Sequence, residues 1–130
     1  MRIAIVDDIA SERTLLHARL EQQLMKRGVH ADLAEFENGE SFLKAAKERP
    51  FAVLFLDIYM DGANGVEIAR ELRKSDPDCL LIFTTTSTDH AVEGFKVRAL
   101  HYLVKPYSEK DISDLIDEIL SRIPSSGKYI

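Results

Sequence analysis

The amino-acid sequence predicts an α/β domain built on one doubly wound, five-stranded parallel sheet with strand order 2-1-3-4-5. Two observations lead to this class. Five short apolar runs alternate along the chain with segments of helical period, which is typical of right-handed βαβ units. Three of these runs, Ile3–Val6, Phe51–Leu56 and Leu80–Phe83, are continuously apolar, as expected of strands that helices cover on both faces. The strand order is a common one for doubly wound sheets.

The first two strands are separated by a strong helical pattern. The run Ile3–Val6 forms the first strand, and leucines at every fourth residue from Leu16 to Leu24 predict the helix that follows. The second run, Ala31–Phe36, is interrupted by two acidic side chains. This alternation predicts a strand that is only partly covered, so we place it at an edge of the sheet.

The middle of the chain repeats the alternation with weaker helical patterns. Phe51–Leu56 and Leu80–Phe83 are the third and fourth strands. Helices of less regular pattern are predicted around Phe42, Ile68 and Val92.

The last strand, Tyr102–Val104, precedes the clearest helix of the chain. Ser108 with Asp111 three residues later resembles a capping box at the start of that helix. Its apolar residues share one face: Ile112, Leu115, Ile116, Ile119, Leu120 and Ile123. We therefore expect one domain over residues 1–123 and a linker over residues 124–130.

Composition and charge restrict the class of protein. The 130 residues favour a single domain, and shares of 45% apolar and 30% charged residues are typical of a soluble globular protein. A net charge of −5 argues against a nucleic-acid-binding surface on this chain, and no apolar run can span a membrane. Cys79 is the single cysteine, so no internal disulfide can form and a reducing, cytoplasmic setting is expected. Because Cys79 opens an apolar run, we expect its side chain to be buried.

Polar side chains stand at the carboxyl ends of four predicted strands. Asp7 and Asp8 follow the first strand and Asp57 follows the third. A run of threonines follows the fourth strand, and Lys105 follows the fifth. In an open parallel sheet these ends share one edge, where ligands bind near the switch in strand order. The sequence therefore predicts one pocket that holds three carboxylates, a hydroxyl and an ammonium.

This pocket has the chemistry of a phosphoryl-accepting metal site. Adjacent carboxylates repel each other unless a cation or a proton lies between them. Oxygen ligands without Cys or His select a hard cation such as Mg²⁺ or Mn²⁺. A carboxylate nucleophile forms an acyl phosphate, and an ammonium group can pair with the phosphate oxygens. Each residue alone has a plainer interpretation, since Asp8 could be only a helix N-cap and Lys105-Pro106 only a turn.

Short motifs occupy the strand ends and the loops beside them. They are the acidic pair and the segments Leu56–Met60, Asn64–Gly65, Ile82–Thr85 and Tyr102–Pro106. Together they resemble the receiver domains of bacterial two-component response regulators, which have a flavodoxin-like fold, over nearly the whole chain. Two segments, Asp57–Gly62 and His101–Pro106, look like the LytTR (LytR/AgrA-type) branch, in which a DNA-binding domain follows the receiver.

The resemblance implies a role for each acidic residue. Asp57 aligns with the phosphoacceptor. Asp7 and Asp8 align with the pair that positions Mg²⁺, with Asp8 as the direct ligand. Tyr59 aligns with the residue whose backbone carbonyl also binds the metal, and Lys105 aligns with the lysine that pairs with the phosphoryl group.

The same resemblance implies a two-state switch. Thr85 aligns with the hydroxyl that moves toward the phosphoryl group, and Tyr102 aligns with the aromatic ring that changes rotamer with it. Because consecutive residues of a strand point to opposite faces, a slip by one residue would give the role to Thr84 or Thr86. The peptide bond before Pro106 is expected to be cis.

Three positions depart from the pattern of the family. Asp61 stands where Pro is common, Asn64 where Asp is common, and Thr86 where Ala or Gly is common. We expect the Thr86 side chain to lie over the access route to Asp57 and to slow phosphoryl gain and loss.

The function that the resemblance implies is a signalling module that catalyses only its own phosphorylation and dephosphorylation. A sensor histidine kinase, or a small acyl phosphate, would donate to Asp57. The phosphorylated chain would form a homodimer and control transcription through a following DNA-binding domain. A stand-alone receiver that acts through protein–protein contacts is the alternative within the family.

Two other classes share parts of the pattern. A flavodoxin-like binding protein would have a phosphate-binding loop rich in Ser, Thr and Gly after the first strand, where this chain has Asp7–Ala10. A haloacid-dehalogenase-type hydrolase would have two Asp separated by one residue after that strand, together with a cap domain.

Overall fold

Five parallel strands form one sheet in the computed structural model, which describes residues 1–60, 63–86 and 96–123. The strands are β1 (Arg2–Val6), β2 (Asp32–Phe36), β3 (Val53–Asp57), β4 (Leu80–Thr85) and β5 (Ala99–Val104). Their spatial order is β2-β1-β3-β4-β5, which confirms the predicted doubly wound sheet and the edge position of the second strand.

Helices connect the strands across both faces of the sheet. They are α1 (Ala10–Lys26), α2 (Gly39–Glu48), α3 (Gly65–Arg73) and α4 (Glu109–Arg122). A short antiparallel ladder, Tyr59–Met60 with Ala63–Asn64, lies between β3 and α3. The helix predicted around Val92 and the predicted linker 124–130 lie outside the described residues. None of the helices in the described ranges has the length and hydropathy that a membrane crossing requires.

Side-chain caps explain where three of these helices begin. Asn38 accepts a hydrogen bond from the Ser41 N–H at 2.8 Å, and Asn64 accepts one from the Val66 N–H at 2.8 Å. Ser108 opens α4 with the predicted capping box, in which its side chain and that of Asp111 each accept from the other's backbone N–H. Such caps satisfy backbone donors that have no partner within the helix.

The sheet separates two apolar cores, as its continuously apolar strands require. On one face, Val6, Leu56 and Phe83 contact α2 and α3 residues such as Phe42 and Leu72. On the other face, strand residues pack with leucines of α1 and isoleucines of α4. Consecutive residues of one strand therefore belong to different cores, which is the period of two that a strand imposes.

Cys79 lies just before β4 and is buried, as predicted. Burial raises the pKa of its thiol to about 12, and the negative charge of Asp76 adds to the rise. A thiol with this pKa is protonated at neutral pH and therefore unreactive.

Arg73 joins the end of α3 to the chain segments that lead into β4 and β5. Its guanidinium donates hydrogen bonds to four backbone carbonyls, those of Val97 (2.7 Å), Cys79 (2.8 Å), Asp76 (3.2 Å) and Arg98 (3.2 Å). One planar group with five donors suits this arrangement, because the donors are fixed relative to each other. Arg73 therefore holds the amino ends of both strands against one helix.

Replacing Arg73 with Met is expected to lower the free energy of unfolding by about 2–4 kcal/mol, because part-buried carbonyls lose their charged donor. Urea unfolding of both proteins measures the difference. Arg70→Met is the matched control, since Arg70 lies in the same helix but is exposed and pairs with Glu67 at the surface. A surface pair contributes about 0–1 kcal/mol, so equal losses in the two variants would contradict the assignment.

Candidate functional site

The carboxyl ends of the strands bring the predicted polar residues to one edge of the sheet. Asp57 is the last residue of β3 and pairs with Thr84 in β4. Thr85 pairs with Val104, the last residue of β5, and its carbonyl accepts from the Lys105 N–H at 2.7 Å. The parallel register therefore places the ends of β3, β4 and β5 next to each other.

Three carboxylates form a compact cluster at this edge. One oxygen from each of Asp7, Asp8 and Asp57 lies within 4.8 Å of the other two. Asp7 and Asp57 are buried and Asp8 is half-buried. Such a set of oxygen donors, open on one side, fits a hard divalent cation that also takes oxygens from a substrate.

Lys105 supplies the positive charge beside this cluster. Its Nζ lies 2.9 Å from Asp7 Oδ2, 3.8 Å from Asp57 Oδ2 and 3.5 Å from Glu12 Oε1. Burial alone would lower the pKa of Lys105, but the hydrogen bond to Asp7 and the charges of Asp57 and Glu12 outweigh it and raise the pKa. Lys105 is therefore charged at neutral pH.

The Asp57 carboxylate has a pKa close to neutral pH when no cation is bound. Burial is the largest of the causes that raise the pKa of Asp57 to about 6, and Lys105 opposes it with a positive charge. The charge of Asp7 adds to the rise, the backbone N–H of Tyr59 lowers the pKa, and Asp8 adds a smaller rise. That N–H lies 3.3 Å from Asp57 Oδ1. A cation in the cluster would favour the ionised form further.

The backbone around Asp57 contacts the first residue of α3. The Gly65 N–H donates to the Ile58 carbonyl at 2.8 Å. A Cβ atom at Gly65 would lie 2.3 Å from the Asp57 carbonyl oxygen and 2.9 Å from Ile58 Cα. Only glycine allows this close approach of helix and strand backbones. Gly65 belongs to the motif Asn64–Gly65, but the sequence alone indicates no role for it.

The predicted switch residues share one face of the sheet. Thr85 is two residues after Phe83, and Phe83 contacts Tyr102 with ring centroids 5.4 Å apart. Because alternate strand residues share a face, Thr85 lies on the Tyr102 side, whereas Thr84 lies on the side of Ile82. Thr84 and Thr85 are both buried, so burial alone does not distinguish them.

The remaining predicted residues lie at the rim of the site. Thr86 is exposed and lines an open cleft of about 310 Å³ with Lys105 and Pro106. The Lys105–Pro106 peptide bond is cis. The side chain of Tyr59 is exposed.

Sequence reasoning missed one charged neighbour of the cluster. Glu12 is one of several charged residues of the first helix, where a solvated position is the usual expectation, yet its carboxylate lies 3.5 Å from Lys105 Nζ. It lies in the first turn of α1, but no local pattern distinguishes it from the other charged residues of that helix.

Comparison with known proteins agrees with this geometry. The family model of the response regulator receiver domain matches residues 3–117. The sensory transduction protein LytT of Oceanobacillus iheyensis is 36% identical over 112 residues, which are 85% of this chain and 45% of that protein. The transcriptional regulatory protein LytR of Staphylococcus aureus is 27% identical over 119 residues, 92% of this chain and 47% of that protein. The chain thus spans less than half the length of these relatives.

A solved structure shows the same fold. The response regulator TrrA from Thermotoga maritima, solved in complex with Mg²⁺ and BeF, superposes with a TM-score of 0.77 at 28% identity. The match covers 91% of this chain and 97% of that one. The LytT and LytR relatives agree with the predicted LytTR branch. Sheet order, acidic cluster and family match lead to one conclusion: this chain belongs to the response regulator receiver domain family.

Proposed function

We propose that this chain is a phosphoacceptor module in which Asp57 takes a phosphoryl group from a sensor histidine kinase, with Mg²⁺ or Mn²⁺ bound. The observation that carries the proposal is the cluster of three carboxylates within 4.8 Å of one another, with Lys105 Nζ 3.8 Å from Asp57. Support for the cation comes from the related TrrA structure, which was solved with Mg²⁺ and BeF.

The metal would be held by Asp8, Asp57 and the Tyr59 backbone carbonyl, with Asp7 positioned beside it. When bound, the cation supplies positive charge that offsets the charge of the phosphoryl oxygens. A carboxylate oxygen of Asp57 attacks phosphorus, so that a new O–P bond forms as the N–P bond of the donor phosphohistidine breaks. Lys105 then pairs with a phosphoryl oxygen instead of the Asp57 carboxylate.

The conformational response would use Thr85 and Tyr102. The new phosphoryl oxygens give the Thr85 hydroxyl an acceptor, and its inward movement makes room for the ring of Tyr102. The shared face of these two residues favours Thr85 over Thr84 and Thr86 for this role. A local electrostatic change thus biases an element with two conformations.

The output is proposed to be transcription regulation through a DNA-binding domain of the LytTR type. Residues 1–123 would form the receiver and residues 124–130 the linker toward that domain, with a homodimer forming on phosphorylation. The name of the LytR relative as a transcriptional regulatory protein and the fraction of it that this chain covers support the proposal. A stand-alone receiver that acts through protein contacts is the alternative.

Incubation with Mg²⁺ and acetyl phosphate, followed by mass spectrometry of the intact protein, tests the proposal. We expect the mass of one phosphoryl group, located at Asp57 and absent when EDTA removes the metal. No uptake by the wild type, or uptake at another residue, would contradict it. Light scattering on the same samples shows whether phosphorylation produces a dimer.

Thr86→Ala is expected to speed both phosphorylation and autodephosphorylation of Asp57, because a smaller side chain opens the cleft beside Lys105 and Pro106. A barrier lowered by about 1 kcal/mol corresponds to a roughly fivefold rate increase. Rates of acyl phosphate formation and loss measure the effect. Thr14→Ala, an exposed threonine on α1, is the control. Unchanged rates in Thr86→Ala would show that this side chain does not restrict access.

A further inference from the structure

We infer that Arg13 is a positioning residue for the metal-binding carboxylates, a role that rests on the proposed function. Arg13 lies in the first turn of α1, behind the acidic pair. Its Nη1 donates a hydrogen bond to the backbone carbonyl of Asp7 at 2.7 Å. The side chain is only 17% exposed, so this contact is largely shielded from solvent.

A second contact fixes the guanidinium from the other side. Arg13 Nε lies 3.4 Å from Oε1 of Glu35, which belongs to the edge strand β2. The other oxygen of Glu35 contacts His17 Nδ1 at 2.8 Å. The guanidinium is therefore held between the turn after β1 and the end of β2, and it uses a different N–H group for each.

The carbonyl that Arg13 holds belongs to the peptide between Asp7 and Asp8. Rotation of this peptide changes ψ of Asp7 and φ of Asp8, and therefore the direction in which the Asp8 side chain leaves the backbone. The Asp7 side chain is already fixed, because its Oδ1 accepts from the Ile9 N–H at 2.9 Å and its Oδ2 from Lys105. Arg13 thus contacts and orients the peptide that joins the two acidic residues.

Positioning and simple electrostatics predict opposite results when Arg13 is removed. A positive charge near a cation site opposes binding of a divalent ion, so loss of that charge alone would tighten binding. Loss of a contact that orients a metal ligand weakens binding of the metal. Groups that hydrogen-bond to metal ligands typically contribute about 10–100-fold in metal affinity. The sign of the change therefore separates the two explanations.

The experiment measures binding of Mn²⁺ alone to the whole chain, from the electron paramagnetic resonance signal of unbound Mn²⁺. We expect Arg13→Gln to weaken Mn²⁺ binding about tenfold. Arg19→Gln is the matched control, because Arg19 lies on the same helix and also donates to a backbone carbonyl, that of Tyr107 at 3.0 Å. It removes the same charge without contacting the acidic pair, and we expect a change of less than about twofold.

Two further variants keep the test decisive if Arg13→Gln folds poorly. Arg13→Lys preserves the charge but not the planar group whose separate N–H groups contact Asp7 and Glu35. Positioning therefore predicts weaker Mn²⁺ binding, whereas a charge effect predicts the affinity of the wild type. The double variant Arg13→Gln with Glu35→Gln leaves the net charge unchanged. Positioning predicts the full loss there, whereas a charge effect predicts none.

The outcomes for the inference and for the proposed function are distinct. Wild-type protein that neither binds Mn²⁺ nor accepts a phosphoryl group would overturn the proposed function. If the wild type binds Mn²⁺ and Arg13→Gln binds it as tightly as Arg19→Gln or more tightly, the role of Arg13 is overturned. The proposed function is then unaffected.

Discussion

Replacing Asp57 with Asn is expected to abolish phosphoryl uptake and to stabilise the metal-free protein at pH 7 by up to about 3 kcal/mol. The pKa of Asp57 is about 6 in the folded chain because the carboxylate is buried, whereas an unfolded Asp titrates near 4. Two pKa units correspond to about 3 kcal/mol of folding free energy. Asn has the same shape without the charge that burial penalises.

The pH dependence follows from the sign of this shift. Between about pH 4 and pH 6 the folded state binds more protons at Asp57 than the unfolded state, so stability falls as the pH rises through this window. The penalty is fully present at pH 7 and absent below about pH 4. Asp57→Asn should therefore exceed the wild type in urea unfolding at pH 7, and the difference should vanish near pH 4.

Added Mg²⁺ should reverse the order of stability at pH 7. A cation that binds only the folded state stabilises it in proportion to its affinity, and the wild type has one more carboxylate to bind it. Asp32→Asn is the control, because Asp32 is exposed on β2. A metal-free Asp57→Asn protein less stable than the wild type at pH 7 would refute this account of the buried acceptor.

Replacing Gly65 with Ala is expected to destabilise the fold by about 3 kcal/mol or more, because the new Cβ would lie 2.3 Å from the Asp57 carbonyl oxygen. The oxygen belongs to the backbone and the Cβ is bonded directly to the backbone Cα, so relief of the contact requires α3 to move away from β3. The same movement displaces the acceptor residue, and we expect weaker Mn²⁺ binding as well. Urea unfolding and Mn²⁺ titration measure the two effects.

Gly39→Ala is a closely matched control. Gly39 is also the first residue of a helix and also follows an Asn cap. A Cβ there would lie 2.3 Å from Ile68 Cδ1 and 2.5 Å from Ile68 Cγ1, which are side-chain atoms that can move without a shift of the backbone. We expect a change within about 1 kcal/mol, to which the helix propensity of Ala contributes favourably. Similar losses of unfolding free energy in both variants would show that the rigid backbone contact is not the reason that position 65 requires glycine.

The sheet and its order could be predicted because the relevant signals are local. Continuous apolar runs such as Phe51–Leu56 indicate strands buried on both faces, and the chirality of βαβ units limits the possible orders. The carboxyl-edge rule then places Asp7, Asp57 and Lys105 together from the topology alone. The contacts of Glu12 and Arg13 could not be predicted in this way. Both are charged residues on a solvated helix, and only the angle at which α1 leaves the sheet brings them to the site.

The role of Gly65 could not be predicted from the sequence for a different reason. A glycine before a helix has several explanations, including a turn that needs positive φ, and the sequence does not distinguish them. The space occupied by the Asp57 carbonyl is a property of the folded backbone. Thr85 is an intermediate case, because its register was inferred by alignment and the period of β4 then places it on the same face as Tyr102.

The hydrogen bonds of Arg73 lie at the amino ends of β4 and β5, at the opposite edge of the sheet from the acidic cluster. Substitutions at well-separated sites usually add in free energy. Residues around Asp57 can therefore be substituted while the anchoring of the strands is preserved. Under the proposed function, such substitutions could change the lifetime of a phosphorylated state without weakening the contacts that Arg73 makes.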